Sequence, residues 1–173
     1  LPAVRKSSVS ITVGDGIYNT GGTGDGYTIL KTTYYYDSNL NSWTTKAAMP
    51  GNKKEHAFTS FDNKLFVTGG QEASSSSYGY KTFIYDILTD TWTQKSDFPS
   101  NISEYAALTI DSDRIHMFIT NYGYNYIPST DTWTQVNYNS GTGNRRSRAV
   151  FSPKTGKAYF ANSSNMVSMD FSN

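Results

Sequence analysis

Side chains able to do acid–base or metal chemistry are scarce in this chain of 173 residues. It has two histidines, His56 and His116, which stand 60 residues apart, and no cysteine at all. A metal centre or a nucleophile–base pair needs several such groups converging on one point. Asp111-Ser112-Asp113 and Asp15-Gly16 begin like fragments of calcium loops. The remaining ligand positions and the closing glutamate are missing, so both read as turns. The sequence therefore predicts no catalytic residue, no metal and no cofactor.

Recognition chemistry is better supplied. Tyrosine offers broad contact area and a hydroxyl at small entropic cost, and arginine offers a planar fork of donors. Tyr27, the pair Tyr78 and Tyr80, and the pair Tyr122 and Tyr124 recur in segments rich in Ser, Thr, Gly and Asn, while Lys53, Arg145 and Arg146 fall in segments between apolar runs. Whether these residues can act together depends on the elements that carry them.

Those elements repeat. Tyr36-Asp37-Ser38-Asn39-Leu40-Asn41-Ser42-Trp43, Tyr85-Asp86-Ile87-Leu88-Thr89-Asp90-Thr91-Trp92 and Tyr126-Ile127-Pro128-Ser129-Thr130-Asp131-Thr132-Trp133 are three copies of one phrase, with tryptophans 49 and 41 residues apart. That period suits propeller blades. Ala57 to Phe61, Lys64 to Thr68, Thr82 to Tyr85 and Thr91 to Gln94 are short and rich in aromatic and β-branched residues, which predicts four strands per unit. Asp62-Asn63 and Gly14-Asp15-Gly16 are tight-turn signals between the first and second strands, and Asp86 to Asp90 turns the third into the fourth. A sheet with two apolar faces must stack on its neighbours, so Trp43, Trp92 and Trp133 are expected to pack between blades.

About 22 residues before the first two tryptophans stand glycine pairs, Gly21-Gly22 and Gly69-Gly70, each closing an apolar alternation. Met49-Pro50 and Phe98-Pro99 follow those tryptophans. A strand and not a helix follows each pair, which excludes a phosphate-cradling loop and leaves close backbone approach or positive φ as the cause. In this order of alternating strand, glycine pair, variable loop, Tyr-Asp, Trp and Pro, the chain resembles the kelch repeat. Residues 57 to 99 match best and 8 to 50 nearly as well. The third copy has Thr120-Asn121 in place of the glycines and Ile127 in place of the Asp, and the fourth stops at Met169-Asp170 before any tryptophan.

The resemblance implies an all-β, kelch-type β-propeller, here a partial arc of about 3.5 four-stranded antiparallel blades forming one propeller segment. The blade units run over approximately 3–50, 51–99, 100–140 and an incomplete 141–173. The ring is then expected to be completed by further sequence or by additional copies. In such a blade the loop from strand two to strand three and the loop to the next blade share one end of the sheet. That end gathers Tyr27, Tyr78, Tyr80, Tyr122, Tyr124, Lys53, Arg145 and Arg146 into one expected binding face.

Composition limits the partner. Charged residues make up 17% and the formal net charge is +1, which argues against a nucleic-acid footprint, and nothing reads as a membrane span. A protein or glycan partner is expected. Kelch-like proteins serve as ubiquitin-ligase adaptors, actin binders, extracellular adhesion proteins and receptor-binding parts of particles, and the polar, weakly charged surface favours an extracellular or particle-surface setting over a cytoplasmic one. Asn101-Ile102-Ser103 and Asn162-Ser163-Ser164 fit the glycosylation pattern. Two other classes stand beside recognition: a propeller enzyme acting on sugars, mutarotase-like or oxidase-like, with its active residues in blades outside this chain, and a structural assembly component. Galactose oxidase needs a cysteine cross-linked to tyrosine, which this chain lacks. Sialidases need dispersed arginines, whereas Arg145, Arg146 and Arg148 are bunched.

Overall fold

Alternating β-branched and aromatic residues between turn formers build strands along the whole chain. The structure, a computed structural model, describes residues 1–72, 79–100, 107–110, 113–118, 123–136, 149–152, 154–155, 157–161 and 166–170. The first sheet is β1 (Val9–Val13), β2 (Gly16–Thr20), β3 (Thr33–Asp37) and β4 (Ser42–Lys46), and the second is β5 (Ala57–Phe61), β6 (Lys64–Thr68), β7 (Thr82–Asp86) and β8 (Thr91–Lys95). The third is β9 (Ala107–Ile110), β10 (Ile115–Phe118), β11 (Gly123–Ile127) and β12 (Thr132–Val136). The last has three strands, β13 (Ala149–Ser152), β14 (Lys157–Ala161) and β15 (Met166–Asp170). Each sheet is an antiparallel meander in chain order. Among the described residues the helical structure is a three-residue 3-10 turn, Asp25–Tyr27.

The chain divides into two compact units, Leu1–Ser103 with the first two sheets and Glu104–Asn173 with the other two. Within each, the first strands of its two sheets lie side by side, β1 with β5 and β9 with β13.

Register follows turn chemistry. Phe61 faces Lys64, leaving a two-residue turn at Asp62 and Asn63 with φ of 42° and 56°, the primed geometry that matches strand twist. The turn between third and fourth strands is bracketed twice. Asp37 Oδ1 accepts the N–H groups of Asn39 and Leu40 at 2.9 and 3.1 Å, and Asp86 Oδ1 accepts those of Leu88 and Thr89 at 3.0 and 3.1 Å. The tyrosine before each turn closes it from the other side. Tyr36 donates to Asn41 at 2.7 Å, Tyr85 to Asp90 at 2.6 Å and Tyr126 to Asp131 at 2.7 Å. The three acceptors sit at φ of 48°, 53° and 55°, a conformation that Asn and Asp tolerate better than most residues. Ile127 cannot make the first bracket, yet the third blade keeps the second.

The core of the first unit lies between its two sheets. Leu65, Phe66, Val67, Phe83 and Tyr85 of the second sheet are at most 1% exposed, and burying a side chain such as Leu65 stabilises by about 2 kcal/mol. Tyr18, Leu65 and Tyr85 form one cluster with Ile11, Tyr35 and Trp92 around it, and the Tyr18 and Tyr85 rings meet 5.9 Å apart across the two sheets. Each tryptophan stacks on the tyrosine of its own phrase: Tyr36 with Trp43 at 5.1 Å, Tyr85 with Trp92 at 5.0 Å and Tyr126 with Trp133 at 4.9 Å. Trp92 also reaches the neighbouring blade, donating from Nε1 to the Ala47 carbonyl at 2.8 Å, while Asp90 accepts the Ala47 N–H at 2.8 Å.

Candidate functional site

In the first unit the end of the sheets carrying the β2–β3 and β6–β7 loops is assembled around the glycine pairs. All four glycines have positive φ, from 60° at Gly21 to 93° at Gly22. A Cβ on Gly21 would stand 2.2 Å from the Lys53 carbonyl, and one on Gly70 would stand 2.4 Å from the Lys54 carbonyl. The segment entering the second blade is thereby pressed against the first, and Gly22 N–H donates to the Lys53 carbonyl at 2.8 Å.

Two basic residues anchor this arrangement from below. Lys53 was expected as a surface cation of the binding face, and the structure corrects this: its side chain is fully buried. Nζ donates to the Gly69 carbonyl at 2.9 Å and to Glu72 Oε1 at 2.8 Å, beneath the Phe83 ring. Those acceptors compensate the ammonium for lost water. Arg5 stands in the corresponding place of the first blade, donating from Nη1 to the Gly21 carbonyl at 3.0 Å with its guanidinium 4.4 Å from the Tyr34 ring centre. Desolvation lowers the pKa of both, and in Lys53 the Glu72 hydrogen bond opposes it. Sequence reasoning missed Arg5. The signal was present, since Arg5-Lys6 and Lys53-Lys54 are offset by 48 residues, as are the two glycine pairs.

The expected face is only partly assembled by the described residues. Tyr27, on its 3-10 turn, is 74% exposed with Lys6 Nζ 4.4 Å from its ring centre, and Tyr80 is 42% exposed. Tyr27 borders a cleft of about 310 Å³ with Val4, Arg5, Lys6, Thr23 and Gly24. Tyr124 departs from expectation. It belongs to β11 opposite Gln135, is 6% exposed, and meets Trp133 edge-on at 6.4 Å, because β11 already begins at Gly123 and draws the ring into the blade. Tyr78, Tyr122, Arg145 and Arg146 lie outside the described residues.

Neither histidine is placed for acid–base work. His56 is 2% exposed between the glycine pairs, within 2.8 Å of Thr20 Oγ1. Desolvation, with the nearby Lys53 charge, pushes its pKa down to about 3. His116 is buried on β10 with Nδ1 2.7 Å from Asn125 Oδ1. Among the described residues no three His, Asp or Glu side chains gather as a metal site, and no helix is long and apolar enough to cross a membrane.

Four-stranded antiparallel meanders, glycine pairs at the ends of second strands and a tryptophan on each fourth strand define a kelch-type β-propeller fold. Residues 53–99 match the family model described as the Kelch motif. Kelch-like protein 25 of Xenopus laevis is 33% identical over 73 residues, which is 42% of this chain and 12% of that protein. A solved structure described as that of YjhT superimposes with a TM-score of 0.74 at 17% identity, covering 91% of this chain and 58% of that one. The chain thus spans a small part of the first and somewhat over half of the second.

Proposed function

We propose that this chain is a non-catalytic recognition module that holds a protein or glycan partner on the loop end of its blades. The observation that carries the reading is the contrast between the two kinds of residue at that end. Tyr27 and Tyr80 stand exposed beside basic side chains, while both histidines are packed inside the sheets. Paired strands and glycine-locked crossings hold the loops, the arrangement in which binding residues are usually found. Kelch repeats and the propeller fold support binding in general; the tyrosine-rich face and an extracellular or particle-surface setting are this reading's own additions. Completion of the ring, by further sequence or by additional copies, belongs to the same reading, and the mass of the native particle tests it.

Site-directed photocrosslinking tests the face. A crosslinking residue at Tyr27 or Tyr80 is expected to capture the bound partner, whereas one at Leu40 or Leu88 is not, because these exposed leucines lie on the third-to-fourth-strand turns at the opposite end. Capture through Leu40 or Leu88 in place of the tyrosines overturns the reading.

A further inference from the structure

The two blades of the first unit treat their buried cation differently. In the second, Glu72 stands two residues after Gly70 and closes an ion pair with Lys53 at 2.8 Å, its carboxylate also accepting the Lys81 N–H at 3.2 Å. The register of the first blade is fixed by matching bridges, Lys6 with Thr23 and Lys54 with Gln71, so Gly24 occupies the place of Glu72. Arg5 makes every other contact that Lys53 makes, to a glycine carbonyl and to an aromatic ring, but among the described residues it has no carboxylate. Its Nε is buried without a hydrogen-bond partner, and so is Oγ1 of Thr32, the residue corresponding to Lys81. Where the carboxylate is missing there is instead the cleft bordered by Arg5, Lys6, Gly24 and Tyr27. Asp25 lines the same cleft and, among the described residues, makes no ion pair.

We infer that this cleft takes the carboxylate of an acidic side chain from a bound protein, which completes in the first blade the ion pair that Glu72 makes within the second. Arg5 supplies charge-assisted donors, Lys6 a second cation, and the exposed Tyr27 ring a wall for the aliphatic part of the side chain. Desolvation of the Arg5 guanidinium, already incurred on folding, adds to the attraction for an anion that enters. This inference rests on the recognition reading and specifies what one point of the face recognises.

The test titrates the whole chain with the blocked tripeptide acetyl-Gly-Glu-Gly-amide, its Gln counterpart and glucuronate, following the Arg5 Nε–H resonance. The Glu peptide is expected to shift that resonance saturably, and the Gln peptide to bind about tenfold more weakly or worse. Arg5→Gln is expected to abolish the preference for Glu over Gln. So is Gly24→Glu, which supplies the carboxylate internally. Gly24 has φ of −86° and its Cβ would meet Leu30 at an ordinary 3.5 Å, so the site accepts a side chain. Should Arg5→Gln fail to fold because Arg5 also anchors Gly21, Gly24→Glu carries the same comparison. Equal binding of the two peptides, or a preference that survives Gly24→Glu, overturns the inference, and tighter binding of glucuronate than of the Glu peptide overturns the protein source. If crosslinking still maps to Tyr27 and Tyr80 when the peptides prove equal, the carboxylate inference alone falls. If crosslinking maps to Leu40 and Leu88 while the Glu preference holds, the face falls and the cleft stands.

Discussion

His56 shows what a buried titratable side chain does to stability when no carboxylate accompanies it. In the folded chain its pKa is pushed down to about 3, against an ordinary value near 6.5. Between these values the unfolded chain binds a proton that the folded chain refuses, so stability rises with pH through the window and is lost as pH falls. The expected slope is about 1.4 kcal/mol per pH unit below about pH 6. The groups facing the ring are Thr20, which is neutral, and the Lys53 cation, which acts in the same direction as burial. Urea unfolding at pH 7, 6 and 5 measures the slope, and His56→Gln is expected to flatten it across that range. A wild-type midpoint constant from pH 7 to 5 would show that the ring accepts its proton in place. The same residue illustrates the limit of reading chemistry from residue type. His56 immediately precedes β5 in the chain, but its enclosure comes from two glycine pairs whose approach is a tertiary event.

Elements were more legible than the residues between them. β5 and β6 have the ends that alternation predicts, and β7 and β8 each extend one residue beyond, because five-residue strands with Asn, Asp or Gly turns announce both their faces and their limits. Less legible was anything set by loop length or by a distant partner. Lys53 read as a surface cation since lysine is seldom buried, and only the Gly69 carbonyl and Glu72, brought up from beyond β6, make its burial tolerable. Tyr124 read as a loop residue because the degenerate third repeat lacks the glycines that mark a strand end. Within the repeating phrase, the bond from tyrosine to Asn or Asp explains why those two residue types recur five positions apart. Tyr85→Phe is expected to lower stability by about 1 kcal/mol. Asp90→Ala is expected to cost more, since it also strips the Ala47 N–H of its acceptor and leaves alanine at φ near 53°. Equal losses in denaturant titrations would mean that the Ala47 bond contributes nothing.

On the scale of the molecule, the first unit behaves as two sheets joined by a few specific contacts. Tyr18 meets Tyr85, Trp92 holds the Ala47 carbonyl, and the Lys53 backbone rests on Gly21 and Gly22. Trp92→Phe removes the indole donor and part of the ring between the sheets, with an expected loss of about 2 kcal/mol. Hydrogen exchange is expected to quicken in β1–β4 as well as in β5–β8, because the contact is shared. Quickening confined to β8 would show that the two sheets open independently.

Both polar groups of the Ala47 backbone are held by the blade that follows, one by Asp90 and the other by Trp92. The physical boundary between modules therefore does not coincide with the proline that closes the written repeat. A chimera made by grafting one blade onto a foreign array inherits a donor and an acceptor without their mates unless its junction keeps residue 47 with the Asp and Trp that grip it. Cutting before 47 preserves that grip; cutting within 48–52 leaves Ala47 on the preceding blade, whose new neighbour must supply the same two bonds.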